Sequence, residues 1–159
     1  MNRENLIKLA TYLEGLPIDY QHFTMETYIG VAEGDDWAMP DMYTMGKYAR
    51  QNGGLAQFPC HTVACALGHG PAAGILANPS ADMIGDHIIW SRYSEKFVDH
   101  GEEHWSWIFG EEWAEIDNTH RGAAARIRFL LDYDLPAGWY YHPMPTIEHV
   151  EMYEGFIRA

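Results

Sequence analysis

The chain has 159 residues, with 23 acidic against 10 basic side chains and a formal net charge of −13. A chain of this length buries enough surface to fold as one domain without disulfides or a structural metal. Its negative field repels nucleic-acid phosphates, which argues against direct DNA or RNA binding, and it favours a partner with a basic surface. The same charge also keeps a chain soluble without any partner.

Signals for export or membrane insertion do not stand out in the sequence. No apolar run approaches the roughly 20 residues that a membrane-spanning helix requires. The N-terminus leads into an amphipathic pattern rather than a secretory leader. Two cysteines, Cys60 and Cys65, are too few for a secreted disulfide framework. These features predict a cytoplasmic protein with reduced thiols, no membrane association and no cofactor.

The N-terminal third of the sequence predicts one clear helix and then a long irregular stretch. Apolar residues at helical spacing predict a helix over residues 3–14, which Gly15 and Pro17 end. Residues 23–29 suit either a strand or a single helical turn. Residues 30–59 are rich in glycine and in large apolar side chains. Such a segment either folds back on the core or forms a contact surface.

The middle of the chain predicts short elements. A helix is expected from about residue 60 to residue 68, and another over residues 72–76 after a proline at its first turn. Three apolar residues, 88–90, suggest a short strand. A serine N-cap then predicts a helix over residues 92–98.

The C-terminal part of the chain predicts three further helical segments. Apolar spacing indicates a helix over residues 102–116, and Gly110 is expected to divide it into two short helices. The clearest late helix covers residues 119–131, with Asp117, Asn118 or Thr119 as its cap. A weaker helix covers residues 146–157.

These elements predict a mainly α fold, with α+β as the alternative. We expect a compact single domain of about five to seven short helices with long irregular loops and room for a small two- or three-stranded sheet. Residues 1–159 form that domain, and residues 137–159 are expected to be a C-terminal appendage packed on it or extending from it.

The window from Cys60 to His69 carries the candidate catalytic residues. A cysteine at a helix N-terminus has a stabilised thiolate, so Cys60 is a candidate nucleophile with His61 or His69 as the base. The alternative is that Cys60 and Cys65 are small core residues. His61, Cys65 and His69 are spaced at intervals of four, but they lack the four-ligand pattern of structural zinc, so no metal is predicted there.

A second window matches the inverted zinc-protease pattern H-x-x-E-H. His100 and His104 are weak candidate metal ligands there, with Glu103 as a general base. Gly101 weakens the helix that this geometry needs. The alternative is an exposed acidic helix start, in which Glu102 and Glu103 are favoured by the helix dipole.

Acidic and aromatic residues alternate between residues 95 and 117, where eight carboxylates accompany one lysine. This stretch is either an ordinary core-facing helix or an acidic surface with aromatic edges for a basic partner. Arginines on the next predicted helix pair with it or bind an anionic ligand bidentately. The candidate ligand or partner surface comprises Trp105, Trp107, Trp113, Glu102, Glu103, Glu111, Glu112, Arg121 and Arg128.

Three stretches together resemble a family of small uncharacterised proteins of bacteriophages and their bacterial hosts. They are residues 60–69 (CHTVACALGH), residues 105–113 (WSWIFGEEW), and Thr119 followed by residues 123–127 (AAARI). The resemblance covers about residues 2–136 and carries over no catalytic residue. It implies an accessory protein that acts by binding, either blocking a host defence protein or sequestering a small signalling molecule.

Three hypotheses on function follow. The first is a non-enzymatic phage or prophage accessory protein, in the host cytoplasm, whose acidic surface engages a basic host protein such as a defence factor. The second is a protein that holds a small anionic, nucleotide-like molecule in an aromatic pocket near Trp105, Trp107 and Trp139, with Arg121 or Arg128 for the anion. The third is the cysteine hydrolase outlined above. Self-association into a homo-oligomer stays open.

Overall fold

The computed structural model describes residues 1–26, 30–33, 36–38, 62–85, 87–99 and 103–158. Most of the regular structure in these ranges is helical. The α-helices are α1 (Arg3–Glu14), α2 (Trp90–Tyr93), α3 (Glu103–Phe109), α4 (His120–Tyr133) and α5 (Ile147–Arg158), and 3₁₀ helices cover Ser94–Lys96 and Glu111–Glu115. The mainly α fold is therefore confirmed.

Five short strands accompany the helices. They are β1 (Gly30–Glu33), β2 (Asp36–Ala38), β3 (Thr62–Val63), β4 (Met83–Ile84) and β5 (His87–Ile88). β1 pairs antiparallel with both β2 and β3, which gives the strand order β2-β1-β3, and β4 pairs antiparallel with β5. A parallel bridge joins Phe23 to Ala64. The three-stranded sheet agrees with the small sheet expected from the sequence.

Helix α1 has the bounds that its apolar spacing predicts. Its buried stripe consists of Leu6, Leu9, Ala10 and Leu13. The side chain of Asn2 caps the helix by accepting a hydrogen bond from the N–H of Asn5 at 3.0 Å. This stripe packs mainly against α4, so the first and the clearest late helix form the centre of the fold.

Helix α4 begins with a side-chain cap that the sequence indicated. The Thr119 hydroxyl accepts a hydrogen bond from the N–H of Gly122 at 2.9 Å. A Cβ atom at Gly122 would overlap the carboxylate of Asp117, so glycine leaves the space that this carboxylate occupies at the start of the helix. Almost every residue from Gly122 to Leu131 is buried, with Arg128 as the exception.

A tryptophan core joins α3, α4 and α5. Trp107 makes edge-on contacts with Trp139 and Trp113 at 4.9 and 5.3 Å between ring centroids, and Trp113 stacks on Trp139. The indole N–H of Trp107 donates to the carbonyl of Arg126 at 3.0 Å. Through Trp139 and α5, the segment expected to be an appendage packs against this core. The division into domains itself stays a prediction.

The predictions of two helices in the middle of the chain, over residues 60–68 and 72–76, are wrong. The part of the window from residue 60 to 68 that the structure describes forms strand β3 and then a series of turns. The adjacent β-branched residues Thr62 and Val63 suit a strand better than a helix. Residues 72–74 form a turn and residues 75 and 76 have no regular structure, and Gly74, with φ of 93°, interrupts any helix there.

The expectations for the second half are confirmed only in part. The helix expected after a Ser91 cap begins instead at Trp90 and passes into the 3₁₀ helix Ser94–Lys96, and the strand expected over residues 88–90 covers His87–Ile88. Gly110 separates α3 from the following 3₁₀ helix, and the last helix forms as α5. The stretch expected to be irregular, residues 30–59, contains the paired strands β1 and β2, so that expectation is wrong for its first part. Residues 39–59, its larger part, lie outside the described residues. In the part of the chain that the structure describes, no helix is long and apolar enough to cross a membrane.

Candidate functional site

A cleft of about 730 Å³ opens at the N-terminus of α4. It lies between the end of α1, the segment that follows α1, and the side of α5. Tyr20 and Phe23 give it aromatic walls, and Glu14, Asp117 and Arg121 are among its charged residues. Its size falls within the range of small-molecule sites in proteins, which is about 300–1,000 Å³.

Tyr20 is fixed in the cleft by a buried histidine beneath it. Nδ1 of His69 lies 2.8 Å from the carbonyl oxygen of Cys65, which can only accept, so Nδ1 carries the proton. Nε2 then accepts from the hydroxyl of Tyr20 at 3.0 Å. Burial lowers the pKa of His69 to about 4, which keeps the ring neutral, and burial raises the pKa of Tyr20. The Tyr20 hydroxyl is thus used internally, and its ring is held in place.

His120 ties three segments together at the back of the cleft. Its Nδ1 lies 2.9 Å from the carbonyl oxygen of Leu13 and its Nε2 lies 3.0 Å from that of Pro17. Both partners accept only, so the ring nitrogen that carries the proton donates to its carbonyl. The ring also lies 6.0 Å from Tyr20 and 6.2 Å from Phe23. The end of α1, the loop after it and α4 are therefore held in one arrangement.

Asp117 and Tyr153 form a second wall that is backed by a buried arginine. The Tyr153 hydroxyl donates to Asp117 Oδ2 at 2.5 Å, and the Thr119 hydroxyl donates to Oδ1 at 2.6 Å. Arg126, which is fully buried, lies 3.9 Å from Oδ2 through Nη1 and places its guanidinium 4.2 Å from the ring centre of Trp113. Burial lowers the pKa of Arg126. Asp117 is thus engaged on both oxygens.

The remaining charges of the cleft differ in how they are compensated. Glu14 accepts two hydrogen bonds from Arg128, both at 2.9 Å, and Arg128 also donates to Thr11. Glu154 has an interaction as well. Arg121 is exposed and has no hydrogen bond or ion pair to any residue in the described ranges. It is therefore the uncompensated charge on the rim.

The tryptophans expected on a contact surface lie elsewhere. Trp107 and Trp113 are completely buried, Trp139 is 1% exposed, and Trp105 is half-buried against the core. The expected surface role of Trp107 and Trp113 is therefore wrong. The prediction of a pocket among Trp105, Trp107 and Trp139 is wrong as well, because Trp107 and Trp139 pack edge-on against each other in the core and Trp105 packs against Phe109.

The acidic candidates are divided between the surface and the helix start. Glu111 and Glu112 are exposed on the 3₁₀ helix after α3, next to the 39% exposed Ile116. Glu103 is half-buried in the first turn of α3, where its carbonyl oxygen accepts from Trp139 and Ser106. Glu102 lies outside the described residues.

The zinc-protease pattern does not assemble in the described part of the chain. His104 places Nε2 2.8 Å from Asp134 Oδ1, so it is paired with a carboxylate from the end of α4. His100 lies outside the described residues. Among the residues that the structure describes, no group of three or more His, Cys, Asp or Glu side chains is arranged to hold a metal ion.

The cysteine window is only partly described. Cys60 and His61 lie outside the described residues. Cys65 is buried, and burial raises its pKa to about 11, which keeps it a thiol. His69 is completely buried beneath Tyr20 and donates to the carbonyl of Cys65 rather than to a sulfur atom. Its expected role as a catalytic base has no support from these contacts.

Sequence reasoning found only part of the cleft. It proposed Arg121 or Arg128 as an anion contact, and only Arg121 lines the cleft. It also left three residues as candidate helix caps, of which Thr119 is the cap. It missed Tyr20, His120 and Tyr153, which come together although about 100 residues separate the first two. No short motif marks such a meeting, since it depends on how α1 and α5 pack on α4.

No protein-family model, curated protein or solved structure matches this chain. The resemblance to phage accessory proteins stays a prediction. The geometry and charges of the cleft are the basis on which a function can be assigned.

Proposed function

We propose that this protein is a binding protein that holds a small ligand in the cleft at the N-terminus of α4. The observation that carries the proposal is the cleft itself, which combines aromatic walls with a polar rim. Small-molecule sites are typically concave and largely apolar, with a few placed polar groups. This cleft lies elsewhere than the tryptophan pocket that the sequence suggested, but Arg121 was proposed for that pocket and also lines this cleft.

The internal hydrogen bonds of the walls support binding without rearrangement. Tyr20 is held by His69, His120 is held by two carbonyls, and Asp117 is held by Tyr153 and Thr119. A site with fixed walls loses little conformational entropy when a ligand enters. These groups are occupied within the protein, so their role in the proposal is to shape the cleft.

Native mass spectrometry of the protein purified from cells tests this proposal. We expect a retained compound that is released on denaturation. The variant Phe23→Ala opens the aromatic wall and should lose the compound, whereas Ile84→Ala, which truncates a 63% exposed residue outside the cleft, should keep it. Circular dichroism checks that both variants fold. Release of no compound at near-stoichiometric sensitivity, or equal retention by both variants, would contradict the proposal.

A second candidate function is engagement of a basic protein, including the host defence factor that the resemblance suggests. The observation that favours it is the exposure of Glu111 and Glu112 on the 3₁₀ helix Glu111–Glu115, which the exposed Ile116 follows in the chain. Exposed carboxylates suit a basic partner, and such a contact weakens as salt rises.

Capture of host proteins on the immobilised protein at low and high salt tests this candidate. We expect a captured basic protein to be lost when Glu111 and Glu112 are both changed to Gln. The same change at Glu148 and Glu151 on α5 is the matched control. Capture that is independent of salt and of both double variants would contradict an electrostatic contact.

A further inference from the structure

We propose that the ligand of this cleft is a planar aromatic anion whose charged group binds Arg121 and whose ring lies against Tyr20 and Phe23. This inference rests on the proposed binding function and narrows it to one chemical class. It is independent of the identity of the retained compound, because it follows from the charges and ring surfaces of the cleft.

The charge of the ligand follows from which charged side chains of the cleft already have a partner of opposite charge within the protein. The carboxylates of Glu14 and Asp117 each have an arginine partner, Arg128 at 2.9 Å and Arg126 at 3.9 Å. Both Asp117 oxygens also accept hydroxyl hydrogen bonds. Arg121 has no such internal partner in the described part of the chain. An anionic ligand would give Arg121 the partner of opposite charge that it lacks. A cationic ligand would instead meet carboxylates that already have arginine partners.

The position of α4 adds to the preference for an anion. Thr119, His120, Arg121 and Gly122 all line the cleft, so the 14-residue helix α4 begins at its edge. The N-terminus of a helix carries a partial positive charge, which stabilises an anion nearby. This contribution is secondary to Arg121, whose guanidinium can bind a carboxylate or phosphate through two parallel hydrogen bonds.

The planar part of the ligand follows from the aromatic walls. Tyr20 and Phe23 are half-buried, so part of each ring remains accessible from the cleft. Tyr20 cannot turn away without losing its hydrogen bond to His69. Aromatic rings pack favourably in offset or edge-on arrangements, and such pairs contribute beyond the apolar area that they bury.

Two matched pairs of probes test the inference by isothermal titration calorimetry on the full chain after any retained compound has been removed. Adenosine 5′-monophosphate is compared with adenosine, and benzoate is compared with benzamide. We expect the anion of each pair to bind about tenfold more tightly than its neutral partner, which is the size of a charge-assisted contact. Inorganic phosphate alone should bind more weakly than adenosine 5′-monophosphate, because it lacks the ring.

Substitutions of Arg121 then test whether the charged group of the ligand binds this side chain. Arg121→Gln should remove the advantage of each anion, and Arg121→Lys should keep a part of it. Arg92→Gln is the matched control, since Arg92 is exposed on α2 and does not line the cleft. Tyr20→Leu should weaken both members of each pair and leave their ratio unchanged.

The outcomes separate this inference from the proposed function. The inference that the ligand is a planar aromatic anion would be overturned by any of three results. The neutral probes bind as well as the anions, the anions bind Arg121→Gln as tightly as they bind the native protein, or neither anion binds. If the protein still retains a compound from cells, the cleft remains a binding site for another class of molecule. If it retains none, the proposed function fails as well.

Discussion

The middle and the N-terminus of α4 both bring an arginine to aromatic rings, with opposite results. In the middle, Arg126 is fully buried against Trp113 and Tyr153. At the N-terminus, Arg121 stays exposed at a cleft that Tyr20 and Phe23 line. The same residue types therefore build a filled core in one place and an accessible cleft in the other.

The difference lies in what faces the rings. Trp107, Trp113 and Trp139 contact each other, so each ring fills the space that a ligand would need. In the cleft, His69 and His120 contact the rings of Tyr20 and Phe23, and both rings are only half-buried. Buried Arg126 has a cost as well, because its Nε and Nη2 have no hydrogen-bond acceptor among the described residues. The first region thus serves stability, and the second is available for binding.

The largest expected effect is the loss of a core ring. Trp107→Ala should lower the free energy of unfolding by about 3–5 kcal/mol, because it leaves a cavity and removes the hydrogen bond to the Arg126 carbonyl. Urea denaturation measures the change. Trp105→Ala, at a half-buried position, should cost clearly less. A loss below about 1 kcal/mol for Trp107→Ala would mean that the core is not packed as described.

The next effect concerns the histidine beneath the cleft. His69 has a pKa of about 4 in the folded protein, below its value of 6.5 in an unfolded chain. As the pH falls, His69 therefore takes up a proton in the unfolded state before it does so in the folded state. The free energy of unfolding should decrease by about 3 kcal/mol between pH 6.5 and pH 4 because of this group. The contribution is fully present above pH 6.5.

Urea denaturation at pH 7 and pH 4 checks this expectation. His69→Gln keeps a donor and an acceptor but has no proton to gain, so it should lose less stability over this interval than the native protein. His142→Gln, at an exposed position, should behave like the native protein. Equal pH dependence for His69→Gln and the native protein would show that His69 is not buried in its neutral form.

A smaller effect is expected for the ion pair between Glu14 and Arg128. Their side chains are 46% and 30% exposed, so solvent screens the pair despite its two hydrogen bonds. A double-mutant cycle with Glu14→Gln and Arg128→Gln should give a coupling energy of about 0.5–1 kcal/mol, reduced at high salt. A coupling that exceeds 2 kcal/mol at physiological salt would contradict a screened pair.

The smallest effect is expected at Arg121. Arg121→Gln should change the free energy of unfolding by no more than about 0.5 kcal/mol, since the side chain is exposed and has no internal partner in the described ranges. Thermal denaturation without ligand measures this. A larger destabilisation would mean that Arg121 supports the fold, which would weaken its assignment to a ligand.

Local patterns predicted several elements well. The apolar spacing of α1, the division at Gly110 and the cap at Thr119 each depend on neighbouring residues. The helix expected to start near residue 60 was wrong because strand pairing between β3 and β1 competes with local helical preference. The surface role of Trp107 was wrong because the sequence does not indicate which rings will face one another.

The sequence by itself determined the helical class and the positions of α1 and α4, and it left Arg121 and Arg128 as alternative anion contacts. The helices follow from periodicity and capping, which act over a few residues. Only the tertiary structure decided that the tryptophans are core and that Tyr20, His120 and Tyr153 share a cleft. Burial and long-range contact depend on how helices pack, and that packing brings together groups about 100 residues apart in the chain.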